Sequence, residues 1–142
     1  MQEKTFVMLK PDCLKRGHVG EVIQRIEKKG FKIDDLKMAA LSAPFLKKHY
    51  AHLSDQPFFP DIMEYMLSGP VIGMIVSGEN CILGMRLLAG ATNFENALPG
   101  TIRGDFANCT RNNIIHCSDS PETAQVEIER FFGSELVLET IK

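Results

Sequence analysis

The chain has 142 residues, 44% hydrophobic and 24% charged, with a formal net charge of −2; this balance excludes a disordered chain and a strongly basic nucleic-acid binder. No run reaches the ~18 apolar residues of a membrane span, and the opening MQEKTFVMLKPD carries charges where a secretory leader needs an apolar stretch. The four cysteines, Cys13, Cys81, Cys109 and Cys117, show no CxxC spacing, so a disulfide scaffold or zinc site is not expected, and reduced thiols in the cytoplasm are.

In chain order, residues 5–10 (TFVMLK) predict a strand apolar on both faces, hence central, ended by Pro11. Val19, Val22, Ile23 and Ile26 then fall at helical spacing, with Gly30 as a stop. A second strand is expected over 31–41, and Ser42 is placed to cap a short helix through Tyr50, with Pro44 near its start. Residues 60–68 read as a helix with Ile62, Met63 and Met66 inward, broken at Gly69-Pro70.

The continuously apolar VIGMIV (71–76) suits a buried strand, and 80–89 a further helix. Residues 93–111 lack periodicity but carry too many apolar groups for disorder, which predicts an ordered, functional loop. A strand over 113–116 follows, and then a helix capped by Ser120 with Pro121 at its first position and Glu122 in its first turn. Strands alternating with helices around one small sheet predict an α+β fold, a ferredoxin-like α/β sandwich of a four-stranded antiparallel sheet with surrounding helices, in a single domain over 1–142.

Several charges stand where this pattern asks for apolar groups. In the last helix Ala124, Glu127, Ile128 and Phe131 occupy i, i+3, i+4 and i+7, the face that should be buried. A buried, unpaired carboxylate costs several kcal/mol, so Glu127 needs a partner. His116 and Ser118, two residues apart, share one side of the preceding strand if that strand continues far enough. Two readings fit: Glu127 pairs with His116 and fixes its tautomer, leaving one ring nitrogen free and nucleophilic, or it reaches water at the stripe's edge. Arg86 is the one charge within CILGMRLLAGA (81–91); it either snorkels to solvent or offers its fork to a phosphate. Lys10, by itself, is a strand-end lysine facing water.

Common phosphate motifs fail. No two glycines are separated by one residue, so GxGxxG is absent, and GMIVSGEN (73–80) has P-loop glycine spacing without the Lys and Ser/Thr that must follow. HExxH and GxSxG are also missing.

Taken together, seven segments resemble the nucleoside diphosphate kinase family in order and spacing: KPD (10–12), HY (49–50), PFF (57–59), SGP (68–70), GATN (90–93), GTIRGDF (100–106) and NIIHCSDS (113–120). The last resembles the family signature N-x-x-H-G-S-D-S/T, and the short tail resembles the bacterial members. The resemblance implies transfer of a γ-phosphoryl group, chiefly from ATP, to nucleoside diphosphates by a ping-pong route through His116, maintaining NTP and dNTP pools. It implies that Glu127 and Ser118 orient that imidazole and that Lys10, Tyr50, Arg86, Thr92, Arg103 and Asn113 hold phosphates and sugar. Phe58 matches the aromatic on which the base stacks, and 93–111 matches the loop that helps build the nucleotide pocket and the subunit contacts. Mg²⁺ is expected on the nucleotide phosphates rather than in a protein cage, and a homo-oligomer, tetramer or hexamer, is expected as the assembly.

The sequence departs from that pattern at two places. Cys117 stands where the family has glycine; a positive φ there would cost roughly 1–2 kcal/mol, or the thiol would crowd the phosphate or serve as a redox handle, but the expected reading is a tolerated substitution in an active enzyme. TRNN (110–113) replaces the commoner GRN, leaving Arg111 and Asn112 without an assigned role. His18, His49 and His52 show no partner pattern and are read as surface groups. A ferredoxin-like RNA-binding module, the rival from another class, needs exposed aromatics on the sheet, and Phe6 is the only aromatic of the first strand. A regulatory homologue without catalysis should lack the histidine or its acid; both are present.

Overall fold

A computed structural model describes residues 1–133 and, as backbone, 139–140. Strand β1 (Gln2–Leu9) is apolar from Phe6 onward, the stretch over which both of its faces are covered. Val7 and Leu9 enter a core with Val22 and Ile26 of helix α2 (Val19–Lys28). Phe6 and Met8, pointing the other way, enter a second core with Phe45, Leu46, Met66 and Phe131. Alternation along one strand thus feeds two hydrophobic layers.

Strand β2 (Lys32–Ala40) and strand β3 (Val71–Glu79) pair antiparallel with a bulge between Ile33 and Asp35, and β3 also pairs antiparallel with β1. Strand β4 (Ile115–Cys117) lies on the other side of β1, with His116 opposite Met8. A two-residue strand β5 (Glu139–Thr140) adds to the edge at Ala39–Ala40, so the order is β4-β1-β3-β2-β5, all antiparallel. This is the ferredoxin-like α+β sheet expected from the sequence, four strands extended by a short fifth.

The helices follow their caps. Helix α3 (Ala43–His49) starts where Ser42 Oγ accepts the Phe45 N–H at 3.2 Å, and α4 (Phe59–Met66) has Pro60 in its first turn. Helix α5 (Cys81–Ala89) follows the left-handed Asn80. Helix α7 (Pro121–Ile128) is capped by Ser120 Oγ, which accepts the Thr123 N–H at 3.1 Å, and runs on as a π-helical turn over Glu129–Gly133. That turn seats Phe131 under β3 so closely that a Cβ on Gly73 would lie 2.4 Å from its ring.

Three local expectations are corrected. Pro11 does more than end β1: it begins a short helix, α1 (Pro11–Lys15), at the first position, where its missing N–H costs nothing. Residues 93–111 are less irregular than their sequence; they hold a 3₁₀ turn at Phe94–Asn96 and helix α6 (Ile102–Phe106), which Thr101 Oγ1 caps by accepting the Gly104 N–H at 2.9 Å. One turn of helix leaves too few residues for periodicity to register. The strand expected over 113–116 instead begins at Ile115, because Ile114 has φ 78° and the Ile115 N–H returns to the Asn113 carbonyl at 2.8 Å. That γ-turn breaks the extended run, and no helix or strand propensity announces it.

Candidate active site

The register that puts His116 opposite Met8 also points its ring toward the side of the sheet covered by α3 and α7. There Glu127 of α7 is 6% exposed. Both of its oxygens lie 2.9 Å from His116 Nε2, and its Oε1 also accepts the Ser118 hydroxyl at 2.6 Å. Of the two sequence readings of Glu127, pairing is therefore the observed one. With Nε2–H donating to the carboxylate, the lone pair resides on Nδ1.

His116 opens on a cavity of about 1230 Å³ whose wall carries Lys10, Tyr50, Phe58, Arg86, Thr92, Arg103, Asn113 and Glu127. Every residue singled out as a candidate thus lines one space except Ser118, which is fully buried behind it. Lys10 is not a solvent-facing lysine: its Nζ donates to Asn113 Oδ1 at 2.7 Å, and burial, helped by Arg103, lowers its pKa to about 8. Asn113 also donates to the Thr92 carbonyl at 3.1 Å, so it ties Lys10 to the loop after α5. Arg103 is held by the carbonyls of Gly90 at 2.8 Å and Ile115 at 2.7 Å, and burial depresses its pKa. Its Nε–H is buried with no partner among the described residues. Arg86 is exposed on α5 and faces the same space, Thr92 is exposed, and Phe58 is half-buried at the start of α4.

Tyr50 sits at the end of α3, and its phenol is pushed well above its ordinary pKa by burial and by the Glu127 charge, so it remains a donor. His49, expected at the surface, is buried instead. Its ring centroid is 4.8 Å from that of His116, and its Nδ1 accepts from the Arg130 guanidinium at 3.3 Å. Burial first, then His116 and Arg130, hold its pKa well below the usual histidine value. The ring is neutral at pH 7, and its 3.8 Å approach to Glu127 Oε2 is a packing contact, not an ion pair. The missed signal was spacing: His49 lies four residues after Phe45, on the buried face of α3, and the two rings stack at 5.8 Å. His18 stacks on Phe106 at 4.2 Å, half-buried, and only His52 is fully exposed as expected.

Asp12, unremarked in the sequence beyond its place in KPD, braces the strained turn: its Oδ2 accepts the Ile114 N–H at 3.2 Å, and Tyr65 donates its hydroxyl to Oδ1. A β-branched residue at positive φ persists only where its neighbours over-determine it, and here Lys10 N–H adds a 2.8 Å bond to the Ile114 carbonyl. The turn is what brings Asn113 against Lys10 while leaving His116 in the ladder.

The backbone cost expected of Cys117 does not arise, although the residue does line the cavity beside His116. The residue has an ordinary strand backbone, since among the described non-glycine residues only Asn80 and Ile114 have positive φ. Its side chain points to the α5 side of the sheet, opposite to the His116 ring, and its thiol meets the Met85 carbonyl at 3.8 Å. Burial raises its pKa to about 11, so at pH 7 it is a neutral thiol, a poor redox handle.

The assembled geometry offers a nucleophilic ring nitrogen, a fixed carboxylate behind it, and Lys10, Arg86 and Arg103 among the cations around the space in front. Comparison with known proteins agrees. Residues 3–137 match the family model described as "Nucleoside diphosphate kinase". A nucleoside diphosphate kinase of Streptococcus agalactiae serotype III is 53% identical over 137 residues, covering 93% of this chain and 99% of that one. The crystal structure of the nucleoside diphosphate kinase from Encephalitozoon cuniculi superposes with a TM-score of 0.90 at 40% identity, over 99% of this chain and 94% of that one. The enzyme from Halobacterium salinarum, solved in complex with CDP, also gives 0.90, at 37% identity over 100% of this chain and 95% of that one.

Proposed function

Because the chain belongs to the nucleoside diphosphate kinase family and has that activity, we propose that it moves the γ-phosphoryl group by a ping-pong route through a phosphohistidine on His116. The observation that carries this reading is the 2.9 Å contact of His116 Nε2 with both oxygens of Glu127, beside a wall bearing Lys10, Arg86 and Arg103. In the first half-reaction Nδ1 attacks the γ-phosphorus in line; the Nδ1–P bond forms as the bond to the β–γ bridging oxygen breaks, and the electron pair leaves with the diphosphate. In the second, a terminal oxygen of the incoming diphosphate attacks the same phosphorus, and the pair returns to Nδ1. No proton need move, because Nε2–H stays on the ring throughout and Glu127 balances the positive charge that develops there.

Phosphoryl transfer asks mainly for positioning and for cations where charge gathers on the phosphoryl oxygens. Lys10 has two donors left after its bond to Asn113, Arg86 is exposed on the open side, and the Arg103 Nε–H, unpartnered among the described residues, is the kind of donor that an anionic oxygen satisfies. Tyr50 and Thr92 supply hydroxyls, Asn113 positions Lys10, and Phe58 provides a stacking face that any base can use. Glu127 is already committed to His116 and Ser118, so the donor set suits Mg²⁺ carried on the phosphates, and Asp119 and Glu122 on the cavity wall are the carboxylates that would help hold it. Bound there, Mg²⁺ neutralises phosphate charge.

The substrates in this reading are nucleoside tri- and diphosphates, ATP chiefly as donor, and the outcome is balance among NTP and dNTP pools. We read 1–142 as one kinase domain acting as a homo-oligomer, tetramer or hexamer; half-exposed Leu36 and Met38 on β2 support a subunit contact. Its place is the cytoplasm, which suits four unpaired thiols; among the described residues no helix is long and apolar enough to cross a membrane. The test is incubation with γ-labelled ATP. Acid-labile, base-stable label should appear on the protein and be chased by any diphosphate, and label that persists in His116→Ala overturns the reading.

A further inference from the structure

The Phe58 ring does not stand bare. The guanidinium carbon of Arg111 lies 5.6 Å over its centroid, and Arg111 Nη1 is held by Asp61 Oδ2 at 2.8 Å. Asp61 is in the first turn of α4, three residues after Phe58, and Arg111 precedes the 113–115 turn by two. Both Phe58 and Arg111 line the large cavity, with Arg111 at its rim, about half exposed. The residue falls in TRNN, the segment where this chain leaves its family's pattern.

A base stacked between two planes needs about 3.5 Å on each side, roughly 7 Å in all. A 5.6 Å separation is too narrow by about 1.5 Å, while the long arginine stem and its weak, solvent-exposed ion pair with Asp61 let the guanidinium lift. Guanidinium groups stack on π-faces as well as carrying charge. We infer that Arg111 is a specificity-determining residue of the base slot: its guanidinium, over the Phe58 ring, lifts to form the outer plate of a sandwich when a base enters. The gain grows with the π-surface offered, so the slot favours purine over pyrimidine nucleotides. This rests on Phe58 being the base platform of the proposed function.

Equilibrium binding tests it independently of phosphoryl transfer. Calorimetric dissociation constants for Mg-ADP, Mg-GDP and Mg-CDP are compared in the unaltered protein, Arg111→Gly and Arg111→Lys, with melting temperature as a check that the half-exposed site leaves folding intact. Arg111→Gly should weaken both purine nucleotides about five-fold and CDP less than two-fold, and Arg111→Lys, a cation without the plane, should recover under half of the loss. A uniform loss across the three nucleotides, full recovery by lysine, or no change overturns the inference and leaves the kinase reading standing. If His116→Ala retains label in the transfer assay while these constants shift as stated, the kinase reading fails and the slot assignment survives.

Discussion

At one end of the cavity Glu127 holds His116 and Ser118 by bonds of 2.6 to 2.9 Å inside a buried cluster; at the other, Phe58, Arg86 and Thr92 stand half-buried or exposed at helix ends and turns. The buried end draws on β4 and α7, and α3 adds His49. Each tie fixes an atom in a place of low dielectric, where small displacements are costly. The open end offers faces and charges with few fixed donors. The difference teaches that rigidity is concentrated where, in the proposed route, bonds change, while the far end of the nucleotide meets groups that can move.

The contrast can be broken at the rigid end first. Glu127→Gln keeps the shape and removes the charge, and should lower kcat about 10²-fold with KM within a few-fold; full retention of kcat would remove Glu127 from the mechanism. The same end can be loosened from beneath. Gly73→Ala would drive a methyl to 2.4 Å from the fully buried Phe131 ring, with an expected stability loss of about 1–3 kcal/mol by urea denaturation. An unchanged midpoint would mean that the π-helical turn carrying Phe131 yields freely.

At the open end the effects should be smaller and fall on binding. Phe58→Ala should raise KM about ten-fold and leave kcat within two-fold, and a matching fall in kcat would erase the distinction between the ends.

Lys10 belongs to both ends and gives a pH signature. Its pKa is lowered to about 8 by burial first and Arg103 second. Nucleotide KM should therefore be level below pH 8 and climb above it, by up to about ten-fold, as the cation is lost. Folding stability should respond oppositely: between pH 8 and the ordinary lysine value of 10.5 the unfolded chain binds the extra proton, so this group's contribution rises with pH. A KM flat to pH 9.5 would contradict the buried setting.

Much of this was legible in residue order. The carboxylate at 127 was marked by an apolar helix stripe, and strand alternation placed His116 and Ser118 on one side; both signals are local and periodic. TFVML read as central because no solvent face could be found in it, and two cores explain why. What escaped detection was either too short or too distant. Helices of five residues at Pro11–Lys15 and Ile102–Phe106 have no period to read. The γ-turn at Ile114 depends on Asp12, 102 residues away in the chain. His49 owes its burial to α7 closing over α3, and Arg111 over Phe58 is a contact across 53 residues that no spacing rule encodes.

The central claim is that Nε2 of His116 is reserved for Glu127 and Nδ1 for phosphorus. Phosphoenzyme made with ATP in ¹⁵N-histidine-labelled protein can be read by ³¹P–¹⁵N correlation NMR, which distinguishes the two ring positions. The account predicts phosphate on Nδ1 alone, and phosphate on Nε2 would contradict it.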